Sequence, residues 1–163
     1  MDLLVTQLFE EWVRRRGIQG AVLDADGMAA FEIDQGLVVN IQARSSPPAL
    51  TLFTLAAQLP SELPAEQRCI VLEDVLEANL LWQATAGATL SLRSSALEEG
   101  RDLVVAQELT VHKGSAVTEL DRIFDNLCLV SLDWKTRIEN RVALGERGKY
   151  DPASPEQLIS MHP

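Results

Sequence analysis

The chain has 163 residues, of which 24 are acidic and 14 basic, giving a formal net charge of -10. That length suits one domain with a real core, and that charge argues against nucleic acid and anionic membrane and favours basic or positively patched protein partners. No stretch approaches the roughly 20 apolar residues of a membrane helix, and Met1-Asp2-Leu3-Leu4 lacks the basic region of a signal peptide, so a cytoplasmic protein is expected.

Asp2 to Arg16 reads as the first helix. Leu4, Val5, Leu8, Phe9, Trp12 and Val13 cover nearly half its circumference, Asp2 is placed to cap it, and Arg14, Arg15 and Arg16 suit the negative end of its dipole before Gly17 stops it. The apolar arc is wider than one core contact needs, which leaves part of it for a ligand.

A short strand, Ala21 to Leu23, leads through Asp24-Ala25-Asp26-Gly27 into strands Met28 to Ile33 and Leu37 to Gln42, joined at Asp34-Gln35-Gly36. The Asp24 to Gly27 run looks like a fragment of a calcium loop. The later ligands and closing glutamate of such a loop are missing, so no metal is expected. Leu50 to Ala57 is a strand apolar on both faces, Leu50 and Leu52 on one and Phe53 and Leu55 on the other, and so must be covered twice, by helices or by a bound partner.

Leu59 to Pro64 turns into a central helix, Glu66 to Ala84, whose wheel carries two apolar rows. Cys69, Leu72, Leu76 and Leu80 form one; Val71, Val75, Ala78 and Trp82 form the other; Glu73, Asp74 and Glu77 are a solvated charged edge. A single small domain needs one stripe about 100° wide. The second row, taken as Val71, Val75, Ala78 and Trp82, therefore predicts burial against another copy of the chain in a symmetric homodimer. The alternative is a central helix covered on both sides by its own domain.

After Gly87, Ala88 to Arg93 alternates cleanly and reads as a half-buried strand. Ser94 to Arg101 is a polar loop, and Asp102 to Val111 is a fifth main strand hairpinned to the fourth. Gly114-Ser115 then caps a helix to about Asn140, with the stripe Val117, Leu120, Ile123, Phe124, Leu127, Val130, Trp134 and Ile138. Leu129 and Leu132 lie off that stripe, where they can touch a neighbour. From Ala143 to Pro163 the period vanishes while Gly and Pro accumulate, so residues 1–142 are expected to form the domain and 143–163 a flexible tail.

Nothing at motif spacing suggests catalysis. His112 and His162 lack partners, and no nucleophile elbow, phosphate loop or zinc spacing is present, so neither enzyme activity nor a cofactor is expected. Cys69 and Cys128 fall at apolar helical positions and read as buried thiols. Asn79 is the one odd polar residue of the central helix, suited to a hydrogen bond with the adjacent loop.

The run Leu76-Glu77-Ala78-Asn79-Leu80-Leu81-Trp82 followed by Gly87-Ala88-Thr89-Leu90-Ser91-Leu92 resembles the helix-to-strand signature of the class I type III secretion chaperones, the Tir chaperone (CesT) family. With the element order the resemblance covers about residues 2 to 140; it departs at Ala86, where a second glycine is often found, and in its longer tail. It implies an α+β fold of helix, three strands, helix, two strands, helix around a twisted, mainly antiparallel sheet. It further implies a non-enzymatic homodimer, paired through the second helix and its following strand, that keeps the extended N-terminal segment of an effector secretion-competent and helps deliver it to the export ATPase. Surplus apolar surface makes Leu4, Leu8, Trp12, Met28 and Ala30 the candidate effector groove, and Val39, Leu52 and Phe53 a second patch. Two rivals remain: a binder that sequesters a different secretion protein, and a small α+β enzyme or ligand-binding domain whose pocket would be lined by His112 or the Glu73 to Glu77 edge.

Overall fold

A computed structural model describes residues 2–33, 36–80, 84–95 and 100–149. Its elements are α1 (Leu3–Arg16), β1 (Met28–Ile33), β2 (Leu37–Ser45), β3 (Pro48–Pro60), α2 (Ala65–Asn79), β4 (Thr89–Ser94), β5 (Gly100–Thr110) and α3 (Val117–Lys149). The five strands form one antiparallel sheet in the order β1-β2-β3-β5-β4, so β1 and β4 are its edges. This is the expected element order and class.

The strand period sorts side chains onto two faces. Val39 lies opposite Thr54 and Ile41 opposite Leu52, and Leu52 and Thr54 lie opposite Gln107 and Val105. All six are buried, on the face that α1 and α3 cover. The opposite face stays open: Ala30, Val38 and Leu55 are exposed, and Met28, Phe53, Val104 and Ala106 are half-buried. β3 is thus covered by helices on one face only.

α1 begins as its sequence dictates, with Asp2 Oδ1 accepting from the N–H groups of Leu4 (2.8 Å) and Val5 (3.3 Å). It ends at Gly17, whose φ of 68° is the left-handed conformation glycine adopts without a Cβ clash. Trp12 packs edge-on against Phe124 of α3 at 5.2 Å between ring centroids, and its Nε1 donates to Asp121 Oδ1 at 3.0 Å. Arg16 Nε donates to the same oxygen at 2.6 Å and its guanidinium lies 4.8 Å from the Phe124 ring centroid. Burial works to lower the Arg16 pKa, but the hydrogen bonds it donates to the Asp121 and Asp125 carboxylates, with their negative charges, outweigh it and hold the group above its ordinary value.

Several expectations are corrected. Ala21 to Leu23 is not a strand; it runs as irregular chain with Val22 exposed, because Asp24 turns the backbone back, accepting at Oδ1 from the N–H groups of Asp26 (2.9 Å) and Met28 (2.8 Å). α2 ends at Asn79, not Ala84, with Leu80 as its extended C-terminal cap. α3 runs beyond Asn140 to Lys149, through the start of the expected tail. Good helix formers sustain it, and Gly145 and Gly148 are tolerated at a cost of about 1 kcal/mol each. Cys69 is exposed rather than buried, while Cys128 is half-buried, and both are free thiols. Residues 150–163 of the expected tail lie outside the described residues.

Candidate partner-binding surfaces

The first surface is the outer side of α2. Val71, Val75 and Ala78, expected at a dimer interface, lie inside the chain's own core at 1%, 5% and 6% exposure, and Trp82 falls outside the described residues. The row left outside is the other one: Leu72, Leu76 and Leu80 are 46%, 64% and 68% exposed, with Cys69 in line above them. The helix does carry a surplus apolar row, but the smaller side chains face inward, where α2 lies against β4, and the leucines face out. Arg141 of α3 ties the helix down from its flank, donating to Asp74 at 3.2 Å.

The second surface is the β1 edge. The outward N–H of Met28 donates to Asp24 Oδ1 (2.8 Å) and its carbonyl accepts from the Asp24 N–H (2.8 Å), so that end of the edge is satisfied internally. Outward positions alternate along an edge strand, which makes Ala30 and Glu32 the next two. No described residue pairs with their outward backbone groups. Beside this stretch runs a groove of about 700 Å³ between the end of α1, the end of β1 and α3, bordered by Ile18, Ile33, Phe124 and Leu129 with Arg16 and Asp125 at its rim. Leu129 is 69% exposed there. Cys128 also borders it; burial, helped by the Asp125 charge, pushes its thiol up to about 11.

Of the residues expected to hold a partner, the structure leaves Leu4 and Ala30 exposed and Met28 and Phe53 half-buried. Leu8, Trp12, Val39 and Leu52 are core residues, because α3 packs over the wide arc of α1 and over the inner face of the sheet. Ile18, Ile33 and Phe124, which border the groove, carry no sequence pattern that marks them for binding; Leu129, off the α3 stripe, is the one signal. Leu55 and Ala57 of β3 with Ile138 and Val142 of α3 border another groove of about 510 Å³. Neither groove is lined by His112 or by the Glu73 to Glu77 edge. Among the described residues no cluster of three or more His, Cys, Asp or Glu could hold a metal, and no helix is long and apolar enough to cross a membrane.

One helix, a hairpin-fed antiparallel sheet, a helix at its β4 edge and a long closing helix define an α+β fold that recurs in solved secretion-chaperone complexes. The chain is similar to the HopA1-SchA chaperone-effector complex (21% identity, TM-score 0.62, 82% of this chain and 94% of that one). It is also similar to the ExsC-ExsE complex (17%, 0.63, 83% and 96%), and to the Yersinia pestis type III secretion chaperone SycH in complex with a stable fragment of YscM2 (18%, 0.58, 79% and 98%). At these identities the likeness is one of fold. No curated protein matches the chain in sequence. The family model of the Tir chaperone protein (CesT) family matches residues 7–107, more than half of the chain, and the chain belongs to that family.

Proposed function

We propose that this chain is a non-enzymatic type III secretion chaperone, acting in the bacterial cytoplasm as a homodimer that holds the extended N-terminal segment of a secreted effector. The observation that carries the reading, beside family membership, is the open stretch of β1 at Ala30 and Glu32 lying against an apolar groove. An extended peptide adds to a sheet edge through its main chain and places alternate side chains in adjacent pockets, which keeps it unfolded yet bound. Here the main-chain partners are Ala30 and Glu32, and the pocket walls are Ile18, Ile33, Phe124 and Leu129. The open sheet face around Phe53 extends the apolar surface next to that edge.

The exposed apolar row of α2 supports the homodimer, closed over Leu72, Leu76 and Leu80 in place of Val71, Val75 and Ala78. Each large side chain is worth roughly 1.5 to 3 kcal/mol when fully buried, enough for three of them from each copy to favour association.

The test is purification of the tagged chain from its native host with identification of what accompanies it. The wild type should retain a secreted protein through that protein's N-terminal segment, and Leu129→Glu and Ala30→Pro should each weaken retention at least about ten-fold without unfolding the chain. Ala30 has its N–H outward, where proline is compatible with an edge strand. Unchanged retention by both variants sinks the β1 assignment. A retained partner that is a regulator instead of an effector would reassign the cargo, since the same surface serves both.

A further inference from the structure

The two edges of the sheet are closed to different extents. At β4 the side chain of Asn79, the last residue of α2, reaches the strand: its Nδ2 donates to the Leu90 carbonyl at 2.9 Å and its Oδ1 accepts from the Leu90 N–H at 2.9 Å. That two-bond exchange is what an antiparallel neighbour would make with the same residue. One outward position earlier, the Ala88 N–H donates to the Thr85 carbonyl (3.1 Å) and the Ala88 carbonyl accepts from Thr85 Oγ1 (2.6 Å). The Thr85 to Gly87 loop is itself held from α3, where Asn126 Nδ2 donates to the Thr85 carbonyl and to Gln107 Oε1, both at 2.9 Å. The outward backbone of the first half of β4 is therefore satisfied within the chain, with Leu92 the next outward position.

We propose that Asn79 acts as a strand surrogate that seals β4 against peptide addition, so that a partner meets the α2–β4 end through α2 side chains and an extended peptide is directed to β1. An unsealed edge strand templates further pairing, and proteins block such edges by covering or filling them. The selectivity for β1 rests on the strand-addition reading above, whereas the seal stands on the geometry alone. Asn79 is thus a specificity-determining residue that touches no cargo.

Amide hydrogen exchange on the full chain, together with light scattering over a concentration series, tests this. The wild-type Leu90 amide should be protected by its hydrogen bond to Asn79 Oδ1. At concentrations too low for assembly, Asn79→Ala should speed its exchange by about ten-fold or more, the equivalent of one lost net hydrogen bond; at higher concentration it should produce assemblies larger than the dimer. Asn79→Asp, which keeps the acceptor for Leu90 N–H and loses the donor, should fall between. Adding Leu92→Pro to Asn79→Ala should abolish the larger assemblies, because it removes the next outward donor. If Asn79→Ala folds poorly, Thr85→Val opens the neighbouring Ala88 carbonyl and should produce the same assemblies. A Leu90 amide still protected in Asn79→Ala at a dilution where light scattering shows no larger assembly, or assemblies absent from both single variants at high concentration, overturns the seal. Retention of cargo is read separately: its loss in Ala30→Pro with Leu90 exchange unchanged speaks to β1, and Leu90 exchange speaks only to β4.

Discussion

α3 and α2 use the same apolar side chains to opposite ends. Every member of the α3 stripe from Val117 to Ile138 is buried, and Leu129, off the stripe, is the one large apolar side chain among the described residues of α3 left exposed. α2 divides its apolar residues between two sides, hiding Val71, Val75 and Ala78 and leaving Leu72, Leu76 and Leu80 in solvent. α3 lies across the middle of the sheet, where one wide stripe meets β3 and β5; α2 lies at the β4 edge, where there is sheet on one side and none on the other. A central helix spends its hydrophobicity on the fold, and an edge helix has a second face to offer.

That contrast breaks most visibly by truncation. Leu127→Ala, at a fully buried position of α3, should lower unfolding free energy by about 2 to 5 kcal/mol in chemical denaturation, with no change in oligomeric state under native conditions. Leu76→Glu, at an exposed position of α2, should do the reverse: light scattering at micromolar concentration should show a monomer, while the stability of that monomer moves by no more than about 0.5 kcal/mol. A wild-type chain that is monomeric at that concentration would remove the dimer from the reading.

The cysteines sharpen the comparison chemically. Cys69 lies on the exposed row of α2, and Cys128 is half-buried on α3 with its thiol pushed from 9.0 to about 11. A raised thiol pKa means less thiolate at any given pH, by about 100-fold here in the range below both values. Thiol labelling at pH 8 should modify Cys69 first and Cys128 only slowly, the latter accelerating as pH climbs toward 11. By linkage the unfolded chain releases this proton at lower pH than the folded one, so the group subtracts stability as pH rises above about 9. Dilution of a dimer closed over α2 should speed Cys69 labelling; labelling independent of concentration would place Cys69 outside the interface.

The smallest effect concerns the elbow that carries α2 into β4. Ala86 has a φ of 48°, a left-handed conformation that costs an alanine on the order of 1 kcal/mol and glycine little. Ala86→Gly should leave stability unchanged or raise it by up to about 1 kcal/mol in thermal melts, since glycine's greater freedom in the unfolded chain offsets part of the relief. A marked loss would mean that the Ala86 methyl does packing that the backbone geometry does not reveal.

Much of this molecule was legible in one dimension. The α3 stripe, the β4 alternation, the Asp2 cap and the Gly17 stop are local patterns, and each appears where its period or its cap placed it. The candidate site was legible only in outline. The arc from Leu8 to Trp12 is wider than one contact needs on a wheel, yet the fold fills it: Leu8 is buried in the core and Trp12 packs among Phe9, Phe31 and Phe124. Two apolar rows on α2 are one more than its own domain hides, and the exposed one is Leu72, Leu76 and Leu80, because a wheel shows that both faces are apolar without showing which of them the β4 edge will cover. Asn79, an isolated polar residue on an apolar helix, suits a bond to the adjacent loop, but its partner is Leu90 in the strand beyond that loop.

Sequence by itself determined the kinds of element, their order and the presence of more apolar surface than one domain hides, since these depend on spacing among residues a few positions apart. Tertiary structure alone decided which surface that was. β5 inserts between β3 and β4, which leaves β4 at the margin with α2 beside it and leaves β1 open at the other side. That pairing joins residues as far apart as Ala49 and Thr110, and no local period records which of two apolar rows, or which of two edges, such a distant contact will cover.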